Sequence, residues 1–451
     1  MVKAVQVELE ELIEQRNWGR LRERLGDWEV PEIAEVLHTL DKRQRVLLFR
    51  SLPRGLSAEV FSYFEPEDQD ILMRELTDAE TRHILANLDP DDRTALLEEL
   101  PAEVTTRLYG LLDTEDLKEA RWLLGYPEES VGRLMTPDYV AVSPRWSIQR
   151  ALEHIRAQGK DSETINRIFI TDPSGKLLDD VMLRRLILAN PDQGVSQVMD
   201  HSFVSLSAFD DREKAVEAMR RYDIVAVPVV DSEGVLIGIV TFDDVWDVAE
   251  EEVTEDIHKA AAMEPLEMSY HRASVWDLYT RRIGWLVILV VLSVVSSVVI
   301  SAFEDKLAAV ITLAAFIPIL LGAAGNTGSQ SATLTIRALV TGDLLPSQWA
   351  GSVVKELGVG ILLGVSLGVL GGCLGFVMAG ARNVGLKIGL VVGTSMSAVI
   401  LFANIVGVVL PFILNKARLD PAVASSPLIT TIADALGLLV YFSIASAVLQ
   451  L

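Results

Sequence analysis

The chain has 451 residues, half of them hydrophobic, and a formal net charge of −23. Its length predicts more than one domain, and its acidity argues against nucleic acid and for cations as natural counter-charges. The single cysteine, Cys373, excludes disulfides and thiolate metal sites, and six unclustered histidines leave oxygen donors for any metal, which select hard ions such as Mg2+, Ca2+ or Mn2+.

Charge divides sharply along the chain. Residues 281–451 carry nine Lys and Arg against six acids, so the front 280 residues hold −26 and the rear +3. Residues 1–30 are charged and have no apolar secretory core, so the N-terminus is expected in the cytoplasm. From Val36 onward a twelve-residue period places Leu40, Leu52, Phe64, Leu76, Leu88, Leu100, Leu112 and Leu124 in equivalent positions. Helix-start or helix-stop residues follow each of them, and Thr77-Asp-Ala-Glu80 fits a capping box. Eight short helices stacked as an α-superhelix over residues 1–130 are the expectation, with no catalytic constellation among them.

Residues 131–262 contain two imperfect copies of one unit. Leu134-Met-Thr-Pro-Asp-Tyr-Val-Ala-Val-Ser143 matches Val198-Met-Asp-His-Ser-Phe-Val-Ser-Leu-Ser207, and each is followed by an amphipathic helix, a strand and a turn. The second copy closes with Leu236-Ile-Gly-Ile-Val-Thr-Phe-Asp-Asp244. These features resemble a tandem pair of cystathionine-β-synthase (CBS) motifs, a regulatory β-α-β-β-α module. The resemblance implies that an ending of this type can hold adenosine ribose and phosphates, here through Thr241 and Asp244. In the first copy Lys176-Leu-Leu-Asp-Asp-Val-Met-Leu-Arg-Arg185 lacks both the glycine and the threonine, which counts against a nucleotide there.

The stretch from Asp243 to Asp256 reads as a helix with carboxylates at i, i+3 and i+4 spacing: Asp244, Asp247, Glu251 and Glu255, with Glu252 and Asp256 beside them. Like charges so placed oppose a helix by about 0.2–0.5 kcal/mol per pair, a sign that a divalent cation reverses; a solvated acidic face is the plainer alternative. Residues 263–282 read as an amphipathic connecting helix ending at Arg281-Arg282, which set the start of the first apolar run on the cytoplasmic side. Five spans follow within residues 283–451, at roughly 283–303, 307–338, 351–380, 385–413 and 423–449, so the C-terminus is expected outside.

The second span holds Pro318-Ile-Leu-Leu-Gly-Ala-Ala-Gly-Asn-Thr-Gly-Ser-Gln-Ser-Ala-Thr333 and is expected to be interrupted, lining a wet cavity with freed backbone groups; a small-residue packing seam is the other reading. The fourth carries Asn404 and Pro411. In the fifth, Asp434 is a lone ionisable side chain in an apolar stretch, where a carboxylate costs several kcal/mol unless water, a partner charge or a passing ion offsets it. Helical spacing sets Thr430, Asp434, Gly437 and Tyr441 along one side, and Asp434 is expected to line a cation pathway.

Taken in order, Thr254-Glu-Asp-Ile-His258, Gly325-Asn-Thr-Gly-Ser-Gln-Ser-Ala-Thr333, Phe402-Ala-Asn-Ile-Val-Gly407, Leu410-Pro-Phe412, Leu419-Asp-Pro-Ala422 and Thr431-Ile-Ala-Asp-Ala-Leu-Gly437 resemble the MgtE family of magnesium channels along essentially the whole chain. The resemblance implies a multi-domain membrane protein with an N-terminal α-superhelical domain, an α/β tandem CBS module and an all-α five-span transmembrane domain. It implies a homodimer in the lipid of a bacterial inner membrane, its N-terminus cytoplasmic and its pore on the two-fold axis. There Asp434 of both subunits holds hydrated Mg2+, with Asn326, Ser329 and Ser426 adjacent. Regulatory Mg2+ falls to Asp91, Glu213, Asp223, Asp244, Asp247, Glu252, Glu255, Asp256 and Asp420, which keep the gate closed, the connecting helix acting as a plug. Co2+, Ni2+ and Mn2+ remain open as further ions and ATP as a further ligand. This chain departs from the family at Ser329 and Ser426, where asparagine is often found.

Two other classes stay open at this level. One is a proton- or Na+-coupled carrier using Asp434, and the other is a membrane protein whose CBS pair senses adenine nucleotide. No nucleophile–base pair or phosphate loop points to an enzyme.

Overall fold

A computed structural model describes residues 18–25, 28–64, 66–160, 162–266, 268, 270, 273–304, 310–379 and 382–450. The start of the expected second span at 307, the end of the third at 380, much of the N-terminal 30 residues and parts of the 263–282 connector lie outside them. The chain forms two compact units that divide between Glu250 and Glu251.

Among the described residues the first unit opens with α1 (Trp18–Leu25) and eight helices whose starts fall twelve residues apart: α2 (Val30–Thr39), α3 (Lys42–Ser51), α4 (Arg54–Ser62), α5 (Pro66–Glu75), α6 (Asp78–Leu85), α7 (Pro90–Glu99), α8 (Ala102–Tyr109) and α9 (Thr114–Leu123). The period persists because each repeat supplies both its own stop and the next start. Leu40, Leu52, Phe64, Leu76, Leu88 and Leu100 are buried in one continuous core, against which Leu112 and Leu124 pack partly covered. Asp41 and Asp113 accept backbone N–H bonds at their N-caps, and Thr77 with Glu80 forms the expected capping box. Helices this short leave many carbonyls unmatched, and buried arginines take them up. Arg45 donates to the carbonyl of Leu37 at 3.0 Å and pairs with Asp68, while Arg93 donates to the carbonyl of Leu85 at 3.1 Å and to Glu119 at 2.6 Å.

After α10 (Val131–Leu134) come the two copies. In the first, β1 (Ala141–Val142), α11 (Ile148–Gln158), β2 (Arg167–Thr171), β3 (Leu177–Met182) and α12 (Leu183–Leu188) give a sheet of order β1-β2-β3. The second repeats it with β4 (Leu206–Ser207), α13 (Glu213–Tyr222), β5 (Ala226–Val230), β6 (Leu236–Thr241) and α14 (Phe242–Ala260). In both, the first pair is parallel and the second antiparallel, with a register shift at the corresponding place. The hairpin tips turn on Gly175 and Gly234, both at positive φ, and the copies clasp there: Leu177 N–H donates to Gly234 and Leu236 N–H to Gly175, each at 3.0 Å.

Register also accounts for the glycine missing from the first copy. Gly238 pairs with Val229 as Asp179 pairs with Ile170. A Cβ at Gly238 would lie 2.9 Å from the Thr136 carbonyl, which packs directly on it. In the other copy the buried Asp179 carboxylate instead accepts the N–H groups of Asp200 and His201, at 2.8 and 2.9 Å, holding the equivalent segment by hydrogen bonds.

Among its described residues the second unit contains five helices long and apolar enough to cross a membrane: α15 (Val275–Ala302), α16 (Ile317–Val340) preceded by a 3-10 turn over Ile311–Phe316, α17 (Trp349–Met378), α18 (Arg382–Lys416) and α19 (Ser426–Leu449). The connector contains no separate helix among its described residues, because α15 is capped by Ser274 and Asp277 and runs unbroken through Arg281-Arg282 into the first span. The expected interruption of the second span is likewise absent. Pro318 opens α16 where its missing N–H costs nothing, and the helix continues through Gly325–Ser331. The small residues serve close packing instead. A Cβ at Gly407 would lie 2.3 Å from the Gly328 carbonyl, and one at Gly368, in the α17–α18 seam, 2.0 Å from Ser397 Oγ.

Candidate cation site

Asp434 lies eight residues beyond the first residue of α19, about 12 Å along its axis. The side expected to carry it divides in two. Gly437 and Tyr441 are buried with Ile429, Ala433 and Phe442, and the Tyr441 hydroxyl donates to the Leu313 carbonyl at 2.9 Å. Asp434 and Thr430 are only partly covered. Among the described residues Asp434 has no hydrogen bond and no ion pair.

One to two turns away, α16 and α19 meet through hydroxyls. Ser426 Oγ donates to Ser329 Oγ at 2.8 Å, Ser329 Oγ lies 3.5 Å from Thr430 Oγ1, and Gly325 leaves room for the Thr430 methyl. Ser329 and Ser426, both expected beside the cation pathway, therefore form one pair. Asn326 is exposed on α16, three residues before Ser329.

A second carboxylate on a helix long and apolar enough to span, Glu356, gives no signal of its own in the sequence. It stands seven residues into α17, where beside Lys355 it reads as a charge at the end of a span. The buried Asn404 of α18 donates to its backbone carbonyl at 2.7 Å and to its Oε2 at 3.1 Å, and Ser331 of α16 donates to the same oxygen at 3.3 Å. The available signal was Asn404 itself, since an amide in an apolar run needs a partner.

In the first unit, acids from three separated segments converge. Asp91 is 9% exposed, and burial pushes its carboxyl up, with Asp244, Asp92 and Glu163 adding to the effect. Burial first, and then neighbouring acids, raise Asp244 to about 8 against the hydrogen bond from Thr241, Glu163 to about 7, and Asp92 to about 6. The crowd thus unites the expected Asp91 and Asp244 with Asp92, Glu163 and Asp243, which lie far apart in sequence and gave no signal. Thr241 Oγ1 donates to Asp244 Oδ2 at 2.7 Å, so the two nucleotide-type residues engage each other. By register Met182 and Arg185 occupy the corresponding places in the first copy, where a cavity of about 540 Å3 is lined by Arg167, Asp180, Met182, Arg184, Arg185 and Asp200. Glu213 and Asp223 stand exposed at opposite ends of α13, Asp223 in the left-handed conformation at φ 51°, and Asp247 is exposed on α14.

In the second unit the end of α14 meets the loop before α19. Lys259 Nζ donates to Asp420 Oδ2 at 2.7 Å and pairs with Glu255. Burial and the Asp420 charge push the Asp256 carboxyl up. Glu252 is partly buried one turn earlier. Among the described residues no three His, Cys, Asp or Glu side chains form a ready-made metal cage. Crowded, oxygen-only donors of this kind fit a hard cation held largely through its own waters.

Comparisons with known proteins follow the same division. A family model described as "Divalent cation transporter" (MgtE) matches residues 317–444, one described as "MgtE intracellular N domain" matches 28–129, and the CBS domain model matches 131–192 and 195–245. The magnesium transporter MgtE of Thermus thermophilus is 39% identical over 455 aligned residues, covering all of both chains. The magnesium transporter MgtE of Bacillus subtilis is 34% identical over 330, which is 73% of this chain and 72% of that protein. Among solved structures, the cytosolic domain of the Mg2+ channel MgtE in complex with ATP has 35% identity and a TM-score of 0.52, covering 54% of this chain and 99% of that one. The soluble part of a magnesium transporter has 26% identity and a TM-score of 0.52, covering 56% and 99%.

Proposed function

The chain belongs to the MgtE family of divalent cation transporters, and from that premise we propose that it is a homodimeric channel conducting Mg2+ inward across the bacterial inner membrane, closed by cytosolic Mg2+. The observation that carries the proposal is Asp434, a carboxylate within an apolar helix that has no partner among the described residues and stands one turn from Thr430 and about two turns from Ser426, which bonds Ser329.

In this reading Asp434, one from each subunit, attracts the ion electrostatically without stripping its waters. Mg2+ dehydrates reluctantly, so a complete protein cage would hold it too long for conduction. Ser329, Ser426 and Thr430 offer hydroxyls that accept from or donate to the hydration shell, with Asn326 next along α16. No bond is made or broken, and the protein acts as a transporter and not as an enzyme. Its N-terminus lies in the cytoplasm.

On the cytosolic side, Asp91, Asp244 and their neighbours repel one another, as do Glu255, Asp256 and Asp420. These groups, with Glu213, Asp223, Asp247 and Glu252, would hold regulatory Mg2+, whose positive charge removes the repulsion. Binding that favours the closed state must itself be strengthened by closure. Adenine nucleotide enters as a modulator, since a related cytosolic domain was solved with ATP; here Thr241 and Asp244 are the residues for it.

The test is Mg2+ uptake into proteoliposomes containing an entrapped indicator. Asp434→Ala should abolish uptake while the protein still elutes as an assembled dimer. Undiminished uptake would overturn the pore assignment.

A further inference from the structure

At the junction of α14 with the loop before α19, a cation already occupies the acids. The Lys259 ammonium lies 2.7 Å from Asp420 Oδ2 and pairs with Glu255, one turn before it on α14, and Asp256 is close enough for its charge to be felt. Asp420 is held in place because its other oxygen caps the following turn, accepting from Ala422 N–H at 2.8 Å. Lys259 is about a quarter exposed, and its partners about a third, so the cluster remains open to ions from water.

We propose that Lys259 is a tethered competitor at this position: its ammonium stands between Glu255 and Asp420 where a regulatory divalent cation would sit, and its displacement sets the cation concentration to which the cytosolic face responds. The proposal rests on the reading of these acids as regulatory Mg2+ ligands, and goes beyond it by naming what they bind when Mg2+ is scarce. Three carboxylates and one ammonium leave a net charge of −2, which attracts a divalent ion. The flexible lysine stem lets the ammonium swing into water once the ion arrives, so one cation replaces another without unpaired carboxylates in between. A lysine suits this role because it is a compact point charge on a mobile stem, unlike the rigid fork of arginine. Without Lys259 the same carboxylates would start at −3 and capture Mg2+ at lower concentration.

A structural strap predicts the opposite sign. If the Lys259–Asp420 pair served mainly to hold α14 against the loop, breaking it would loosen the state that Mg2+ stabilises and raise the concentration required.

The experiment is a MgCl2 titration of the full-length protein in detergent at constant ionic strength, following protection from hydrogen–deuterium exchange in the peptides spanning 251–264 and 417–425, a readout independent of conduction. Lys259→Gln should lower the Mg2+ midpoint for protection about five-fold, the scale of one surface ion pair. Lys259→Arg, which keeps the charge, should stay within about two-fold of the unsubstituted protein on the same scale. An unchanged or raised midpoint for Lys259→Gln, or a Lys259→Arg midpoint lowered as far as that of Lys259→Gln, overturns the proposal. Asp420→Asn separates the two levels. If it leaves the midpoint in place, or the unsubstituted protein shows no Mg2+-dependent protection, the underlying reading of these acids fails. If Asp420→Asn raises the midpoint while Lys259→Gln leaves it unmoved, the lysine proposal alone fails.

Discussion

Replacing Asn404 by alanine tests whether the polar network between α16, α17 and α18 fixes the geometry around the proposed pathway. Asn404 is 2% exposed and donates to both the carbonyl and the carboxylate of Glu356. A bond to a neutral carbonyl contributes about 1 kcal/mol and one to a charged acceptor about 1.5–3, so truncation should cost about 2.5–4 kcal/mol. Interhelical hydrogen bonds in membranes average nearer 0.6 kcal/mol, because the chain unfolded within the bilayer also finds partners. Burial, and the carboxylate left with Ser331 alone, argue against the low figure, and about 2–3 kcal/mol, between the two, is the expected loss. The assay is reversible denaturation in mixed micelles, followed by tryptophan fluorescence, within a double-mutant cycle. Glu356→Gln keeps an acceptor and should cost less than about 1 kcal/mol, while Asn404→Ala and Glu356→Ala together should show coupling of at least about 1 kcal/mol. An Asn404→Ala cost below about 0.5 kcal/mol, or strict additivity, would refute the argument.

The raised carboxyls of Asp92, Glu163 and Asp244 mean that the folded chain binds more protons than the unfolded one between the ordinary carboxylate range and about 8. Stability of the first unit without divalent ions should therefore fall as pH rises from 5 to 8, and added Mg2+ should raise its melting temperature more at pH 8 than at pH 6; differential scanning calorimetry checks both signs. Gly368→Val places a Cβ 2.8 Å from the Gly393 carbonyl as well as against Ser397, so the α17–α18 seam should open and the yield of folded protein in detergent should collapse. Ser329→Ala removes one side of the 2.8 Å hydroxyl pair, and should cost less than about 1 kcal/mol in denaturation while changing the relative uptake of Mg2+ and Co2+ in proteoliposomes.

The parts of this molecule that repeat were legible in its residues. Each turn of the N-terminal stack places a Leu or Phe against the core and a helix-start residue after it, with side-chain caps at Asp41, Thr77 and Asp113, so a local pattern was enough to predict eight helices, and the two CBS copies announced themselves by matching each other. Asp434 was legible because a lone acid in an apolar run violates a strong local rule. Groupings made by distant segments were not. Glu163 joins Asp91 and Asp244 only once the first unit has folded, and Lys259 meets Asp420 from 161 positions away. The small residues of α16 were overread as a break, because glycine permits two outcomes, an opened backbone or a neighbour drawn close. Contacts with α18 and α19 decide for the second.

The first membrane helix carries one more implication. From its cap at Ser274 to Ala302, α15 is a single rod of about 42 Å without a proline, and none of its described side chains is buried by the rest of the chain. Such a rod has no joint at which to absorb a tilt, and at its far end Val299, Ile300 and Phe303 pack on α19, with Phe303 stacked on Phe442. A swing at its Ser274 end is therefore delivered whole to its other end, where the contact with α19 receives it.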